Sequence, residues 1–99
     1  MKPVILHDEA QAELDAAAAH YDAQRAGLGR QLIEEVATAL GKIGSDPGIG
    51  ARYRNGEFRF YRLDRFPYVL YYLELTDAVW IAAVAHSRRK PNYWRRRAP

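Results

Sequence analysis

The spacing of apolar residues predicts a strand and then a helix at the start of the chain. The apolar run from Val4 to Leu6 is typical of a short strand. Asp8 is predicted to cap the helix, because its carboxylate can accept a free backbone N–H and Gln11 follows in capping-box position. We expect this helix to run to about Arg25. Its apolar positions are Ala10, Leu14, Ala17 or Ala18, and Tyr21.

A second helix is predicted after the break at Ala26 and Gly27. Gly44 is its predicted C-cap, since Pro47 cannot continue a helix. Because the connection between the two helices is so short, they are expected to form an antiparallel hairpin. The apolar positions of the second helix are Leu28, Leu32, Val36, Leu40 and Ile43.

The second half of the chain predicts strands. A loop rich in glycine, 45–55, precedes three aromatic and β-branched runs, which are Glu57–Leu63, Tyr68–Leu75 and Ala78–His86. The order β-α-α-β-β-β predicts an α+β fold, with the helical hairpin packed on one face of a largely antiparallel four-stranded sheet. Residues 1–99 are expected to form one domain with a basic C-terminal tail, 87–99.

Charge is divided unevenly along the chain. Residues 1–46 carry four lysines and arginines against eight acids, which gives −4, whereas residues 47–99 carry eleven against four, which gives +7. This split indicates a basic surface that meets an anion, either a nucleic acid or an acidic protein. The alternative is a solvated surface without a partner.

Composition narrows the class of protein. The absence of cysteine excludes disulfides and thiolate metal sites and fits a reducing cytoplasm. No apolar stretch approaches the roughly 20 residues that a membrane span needs. We therefore expect a cytoplasmic protein without a membrane partner.

The basic tail is the first candidate site. Six of the ten residues from Arg88 to Arg97 are cationic, and two aromatic residues lie between the clusters. Cations neutralise phosphates and aromatic faces stack on unpaired bases, so the tail resembles a surface for single-stranded nucleic acid. Its candidate binding residues are Arg88, Arg89, Lys90, Tyr93, Trp94 and Arg95. In the alternative, Tyr93 and Trp94 fold back over the sheet edge and the arginines are merely solvated.

The first hairpin strand offers a second group of candidates. Side chains alternate between the faces of a strand, so Arg59 and Tyr61 share one face while Phe58 and Phe60 share the other. If the helices cover the phenylalanine face, Arg59 and Tyr61 point to an open basic groove. Arginines on edge strands are also common solubility devices, which is the alternative.

His86 ends the last predicted strand, just before the basic run. Histidine is the usual general acid or base near neutral pH, although a lone histidine is more often structural. The acids of the first helix are interpreted as a solvated face, and adjacent Glu34 and Glu35 point to different sides of the second helix. We therefore expect no metal site and no cofactor.

The chain resembles the RelE/ParE superfamily of toxins from type II toxin–antitoxin systems. The element order, the segment Phe66–Tyr72 and the ending His86–Trp94 carry this resemblance. It implies a cytoplasmic toxin that an acidic antitoxin wraps and neutralises in a hetero-oligomer. It also implies one of two targets. The RelE branch cleaves messenger RNA on the ribosome without a metal, and the ParE branch inhibits DNA gyrase without a known nucleolytic site.

Pairing the chain with the RelE pattern gives a mixed result. Arg59 falls on a lysine of that branch and keeps its charge, and Tyr93 falls on a catalytic tyrosine. Tyr61, Tyr68 and Ser87 fall on cationic positions, although two arginines follow Ser87 directly. Fixed cations stabilise the charge of the transition state, so their loss disfavours RelE-like cleavage.

The favoured interpretation is therefore a ParE-like toxin that binds its target through the basic C-terminal half. The first alternative is a metal-independent endoribonuclease. In it, Arg59 and Arg88 or Arg89 would hold the phosphate, while His86 or Tyr93 would handle protons. The second alternative is a nucleic-acid-binding module without toxicity.

Overall fold

The computed structural model describes all 99 residues. Two helices, α1 (Asp8–Gln24) and α2 (Leu28–Ser45), pack on one face of a five-stranded sheet. The strands are β1 (Val4–Leu6), β2 (Ala51–Arg52), β3 (Phe58–Arg62), β4 (Tyr68–Glu74) and β5 (Val79–His86). The α+β class and the helical hairpin on one face are confirmed. Neither helix has a stretch long and apolar enough to cross a bilayer.

The sheet runs in the order β1-β5-β4-β3-β2 and is antiparallel except for the β1–β5 pair. The predicted count of four strands is wrong, because β2 lies within the predicted loop. Only two residues of β2 pair with β3, with Ala51 opposite Phe60 and Arg52 opposite Arg59. A strand this short has no side-chain alternation that the sequence could reveal.

The structure differs from the prediction at both predicted caps, which are the start of α1 and the end of α2. Asp8 is the first residue of α1 rather than its cap, and Nδ1 of His7 accepts the Glu9 N–H at 3.1 Å instead. Gly44 lies inside α2, which ends one residue later. A Cβ on Gly44 would stand 3.0 Å from the carbonyl oxygen of Lys2, so glycine lets the N-terminal segment pass close to α2.

Gly29 allows the two helices to approach closely. A Cβ at this position would overlap the carbonyl oxygen of Ala18 on α1. The Gly29 N–H, which has no partner within α2, donates to Oδ1 of Asp22 at 2.8 Å. Leu32, Val36 and other side chains of the hairpin can therefore pack directly on the sheet. The fully buried members of this main core include Leu32, Val36, Ile43, Leu70 and Ile81.

The helices cover the face of β3 that carries Tyr61, so the condition for an open groove at Arg59 and Tyr61 is not met. Tyr61 and Leu63 pack with the helices in the main core, whereas Phe58 lies on the other face in a second apolar cluster with Trp80 and Trp94. Residue alternation alone could not assign the covered face, because both faces of the sheet are apolar. Trp94 of the C-terminal segment covers Phe58, so aromatic character did not mark the face beneath the helices.

Candidate target-binding site

The β5 strand extends beyond its neighbour β1 and exposes backbone groups at one edge. A bulge lies in β5, where Tyr71 pairs with Ala83 but the next residue, Tyr72, pairs with Ile81. Two side chains satisfy the groups beyond β1. A guanidinium N–H of Arg97 donates to the Ala82 carbonyl at 2.7 Å, and the carboxylate of Glu13 accepts the Val84 N–H at 3.0 Å. The C-terminal segment thus closes this edge together with α1.

Glu13 and Arg97 are paired where they close the edge. Arg97 donates to both carboxylate oxygens of Glu13, at 3.1 and 3.0 Å, and forms an ion pair of 2.7 Å with Glu9. Only 12% of the Arg97 side chain and 16% of the Glu13 side chain are exposed. Burial alone lowers the pKa of Arg97, but the hydrogen bond and charge of Glu13 raise it overall. The prediction that all acids of α1 are solvated is therefore wrong for Glu13.

Tyr93 is held by the same carboxylate. Its hydroxyl donates to Oε2 of Glu13 at 2.7 Å. Burial first, and then this hydrogen bond, raise the pKa of Tyr93 well above its usual value of 10.0. The hydroxyl is thus committed to Glu13, and an approaching ligand would have to compete with a charged acceptor.

Trp94 packs on the sheet face that the helices leave free. It is 1% exposed. Its ring stacks on Tyr71 at 4.5 Å and contacts Phe58 and Tyr53 at 4.9 and 5.2 Å between centroids. In this position the ring cannot stack on a base, so Trp94 adopts the folded-back alternative.

A cleft of about 300 Å³ separates the turn after β2 from the C-terminal segment. We call it the basic cleft and define it by its basic lining residues, which are Arg54, His86, Arg89 and Lys90. Aromatic residues also line it, namely Tyr53, Tyr71, Tyr93 and Trp94. Arg54 reaches the cleft from a turn in which its φ is +51°. The guanidinium carbon of Arg89 lies 4.0 Å from the centre of the Tyr93 ring. This geometry suits the binding of an anion beside aromatic surfaces.

His86 lines the basic cleft and has one ring nitrogen, Nδ1, in a hydrogen bond within the protein. Its Nδ1 accepts the Arg88 N–H at 3.1 Å, and its ring meets the edge of Tyr68 at 5.2 Å between centroids. Because Nδ1 acts as the acceptor, the neutral ring carries its proton on Nε2. His86 thus lines the cleft with its ring packed on Tyr68 and with Nε2 as its remaining donor.

The structure does not bring Arg59 and Tyr61 to this cleft. Arg59 donates to the Gly50 carbonyl at 2.8 Å and lies opposite Tyr72, whereas His86 lies opposite Tyr68. Four residues of β4, or roughly 13 Å of strand, separate those two levels of the sheet. Tyr61 borders a different hollow, beside α2.

The remaining candidates divide between the cleft and open solvent. The structure gathers His86, Arg89, Lys90 and Tyr93, while Arg88 and Arg95 are exposed and have no carboxylate partner. Sequence reasoning missed Arg54, which the long turn before β3 brings to the cleft. It also missed Glu13, for which no local signal exists, because Glu9 lies one helical turn away and has the same chemistry.

Comparison with known proteins identifies the family. The model described as "ParE toxin of type II toxin-antitoxin system, parDE" matches residues 4–91. The chain belongs to this toxin family. The resemblance to RelE/ParE toxins is thereby confirmed, on the ParE side. The match ends before Tyr93, so the part of the C-terminal segment that contacts Glu13 lies beyond it.

A solved structure described as "Chromosomal ParDE TA system from P. aeruginosa" has a similar fold. The TM-score is 0.77 with 17% identity, and the similarity covers 87% of this chain and 96% of the other. At this identity the likeness supports the ParE-like fold alone. No curated protein matches the chain.

Proposed function

We propose that this protein is a growth-inhibiting toxin that binds an essential target through the basic cleft and the cations around it. Membership of the ParE toxin family supports the toxin class. The choice of surface rests on one observation, which is that carboxylates of the protein do not neutralise most of the lysines and arginines in the second half of the chain. Of the eleven lysines and arginines in residues 47–99, only Arg97 pairs with a carboxylate.

Unpaired cations of this density favour an anionic partner. Like charges within roughly 8 Å of each other repel appreciably at physiological salt, and an incoming anion relieves that repulsion. Arg54, Arg89 and Lys90 border one cleft and would act together on such a partner. The same field would attract an acidic antitoxin, which we propose as the cognate partner in a hetero-oligomeric complex.

DNA gyrase is the target that we propose first. Two observations disfavour catalysis at the cleft. Arg59 lies elsewhere, and the hydroxyl of Tyr93 is bound to Glu13. RNA cleavage remains the second candidate, because His86 and Arg89 line the same cleft and could polarise a phosphate.

Controlled expression of the chain alone in bacteria tests the proposal. Growth should stop, purified protein should inhibit gyrase supercoiling, and primer extension on messenger RNA should show no new cleavage. New cleavage without gyrase inhibition would select the endoribonuclease, and undisturbed growth would contradict any toxin. A short acidic protein encoded beside this chain is the expected antitoxin, and its co-expression should restore growth.

Charge reversal tests the surface. The double change Arg89→Glu and Lys90→Glu should abolish growth inhibition. Arg25→Glu with Arg30→Glu makes the same change in net charge at exposed positions on the helical hairpin and should leave growth inhibition intact. Equal toxicity of the two variants would show that the basic cleft is not the binding surface.

A further inference from the structure

Glu13 links α1 to the two segments that border the basic cleft. Its Oε2 accepts from the Tyr93 hydroxyl at 2.7 Å and from Arg97 at 3.0 Å, and its Oε1 accepts from the Val84 N–H at 3.0 Å. These partners lie 71 to 84 residues away along the chain. One carboxylate therefore fixes the end of β5 and the C-terminal segment relative to each other.

The restraint on Tyr93 also affects the basic cleft, because Arg89 packs on the Tyr93 ring. The exposed Arg89 side chain lies over the Tyr93 ring, with 4.0 Å between the guanidinium carbon and the ring centre. A free arginine loses much rotamer freedom when it binds a ligand, which weakens binding. Stacking on an immobile ring removes part of that freedom beforehand, provided that the ring itself is held.

We propose that Glu13 is a positioning residue of the basic cleft, because it fixes the Tyr93 ring on which Arg89 is oriented beside His86. The effect on target binding rests on the proposed function. The placement of Arg89 does not, and it can be measured without a target.

A merely structural role for Glu13 predicts a different result. The carboxylate also closes the edge of β5, so its loss lowers stability whether or not it orients Arg89. Melting temperature cannot separate the two roles. The ring current of Tyr93 can, because protons of an arginine held above an aromatic ring resonate upfield of those in an exposed arginine.

The decisive experiment compares the side-chain NMR resonances of Arg89 in the wild type, Glu13→Ala and Glu9→Ala. Glu9 is the matched control, since it lies one turn away and pairs with Arg97 but does not bond to Tyr93. In Glu13→Ala the Arg89 resonances should move to exposed-arginine positions. The half-inhibitory concentration for gyrase supercoiling should rise by about tenfold, as when a residue that orients a ligand-binding group is removed. Glu9→Ala should change neither.

Glu13→Gln provides the conservative rescue. Its carboxamide oxygen can accept the Val84 N–H while its NH2 donates to the Tyr93 hydroxyl oxygen, although the NH2 cannot accept from Arg97. The Tyr93 ring stays held, so the upfield shift and inhibition should largely persist. If Glu13→Ala does not fold, Tyr93→Phe keeps the ring and removes only the hydroxyl that Glu13 holds. The Arg89 shift should then decrease while the fold survives.

Two results would overturn the proposal. In one, the Arg89 resonances stay upfield in Glu13→Ala or, where that variant does not fold, in Tyr93→Phe. In the other, they move but the inhibition of gyrase is unchanged. If the wild type does not inhibit gyrase at all, the proposed target fails, and the resonances alone still decide the role of Glu13.

Discussion

The indole ring of Trp94 stacks on the ring of Tyr71, with 4.5 Å between centroids and 26° between planes. This contact shows whether the C-terminal segment is a free arm or is packed on the domain. A tail with six cations in ten residues suggests a free arm, but its central aromatic residue is as buried as the core. The backbone on either side of Trp94 is therefore anchored to the domain.

Replacing Trp94 with alanine should cost about 3–5 kcal/mol of unfolding free energy, which is the usual range for a buried aromatic residue. The loss would expose Tyr53, Phe58 and Tyr71 together. Urea denaturation measures it. Arg95→Ala is the matched control, because that neighbour is exposed, and it should change stability by no more than about 0.5 kcal/mol. Similar midpoints for the two variants would mean that the segment does not pack on the sheet.

Replacing two glycines of α2 with alanine should have opposite effects on stability. Gly29→Ala places a methyl group against the Ala18 carbonyl and should push the helices apart, at a cost of about 1–3 kcal/mol for overpacking. Gly41 has nothing within 4 Å of its added Cβ, so Gly41→Ala should stabilise by about 0.5–1 kcal/mol through helix propensity. Thermal melting of both variants checks the contrast. Equal shifts would contradict the close approach at Gly29.

The order and extent of the main helices and strands could be predicted from the sequence. In a long element, the regular spacing of apolar residues indicates which face is buried. Leu32, Val36 and Ile43 predicted the buried stripe of α2, and all three are in the main core. The faces of the sheet could not be assigned in the same way. Alternation separates Phe58 from Arg59 but does not say which of them meets the helices, since that depends on what covers the other face.

The candidate site was only partly predictable for a similar reason. His86, Arg89 and Lys90 are close in sequence, so their proximity in the cleft was foreseeable. Glu13 joins Tyr93 across 80 residues, and only the three-dimensional path of the C-terminal segment brings them together. The sequence alone could not distinguish that buried carboxylate from the exposed acids on the same helix.

The hydroxyl of Tyr72 should be worth about 1–3 kcal/mol of stability, the usual penalty when a buried partner is left unsatisfied. It donates to the Pro47 carbonyl at 2.7 Å and accepts the Gly50 N–H at 2.9 Å, which fastens the loop after α2 to the sheet. Tyr72→Phe removes both bonds and leaves the ring in place. Hydrogen exchange should then accelerate at Gly50 more than in α1. Unchanged protection there would show that the loop is held by other contacts.

Stability should decrease as pH rises above about 10, the ordinary tyrosine pKa. Burial raises the pKa of four tyrosines, and in Tyr93 the bond to Glu13 adds to it. A raised pKa in the folded state means that the unfolded chain loses the proton first. This contribution is therefore complete below pH 10 and is lost as the pH rises through the folded values. Urea midpoints between pH 8 and about 11 measure the slope.

The Tyr93→Phe variant measures how much Tyr93 contributes to the decrease in stability above pH 10. Phenylalanine cannot ionise, so the decrease in stability above pH 10 should be shallower than in the wild type. Absorbance of tyrosinate supplies a second measurement, since the wild-type protein should ionise most of its buried tyrosines only as it unfolds. An identical slope in the variant would contradict the raised pKa of Tyr93.

Arg89→Ala should reduce growth inhibition strongly, whereas Arg59→Ala should leave most of it. Arg89 borders the basic cleft, while Arg59 is bonded to the Gly50 carbonyl at another level of the sheet. Loss of that bond should instead cost about 0.5–1.5 kcal/mol of stability. Growth after induction, with protein levels checked by immunoblotting, separates the two effects. If Arg59→Ala alone abolished toxicity at normal protein levels, the binding surface would have to extend along β3. The cleft beside His86 would then be only one part of it.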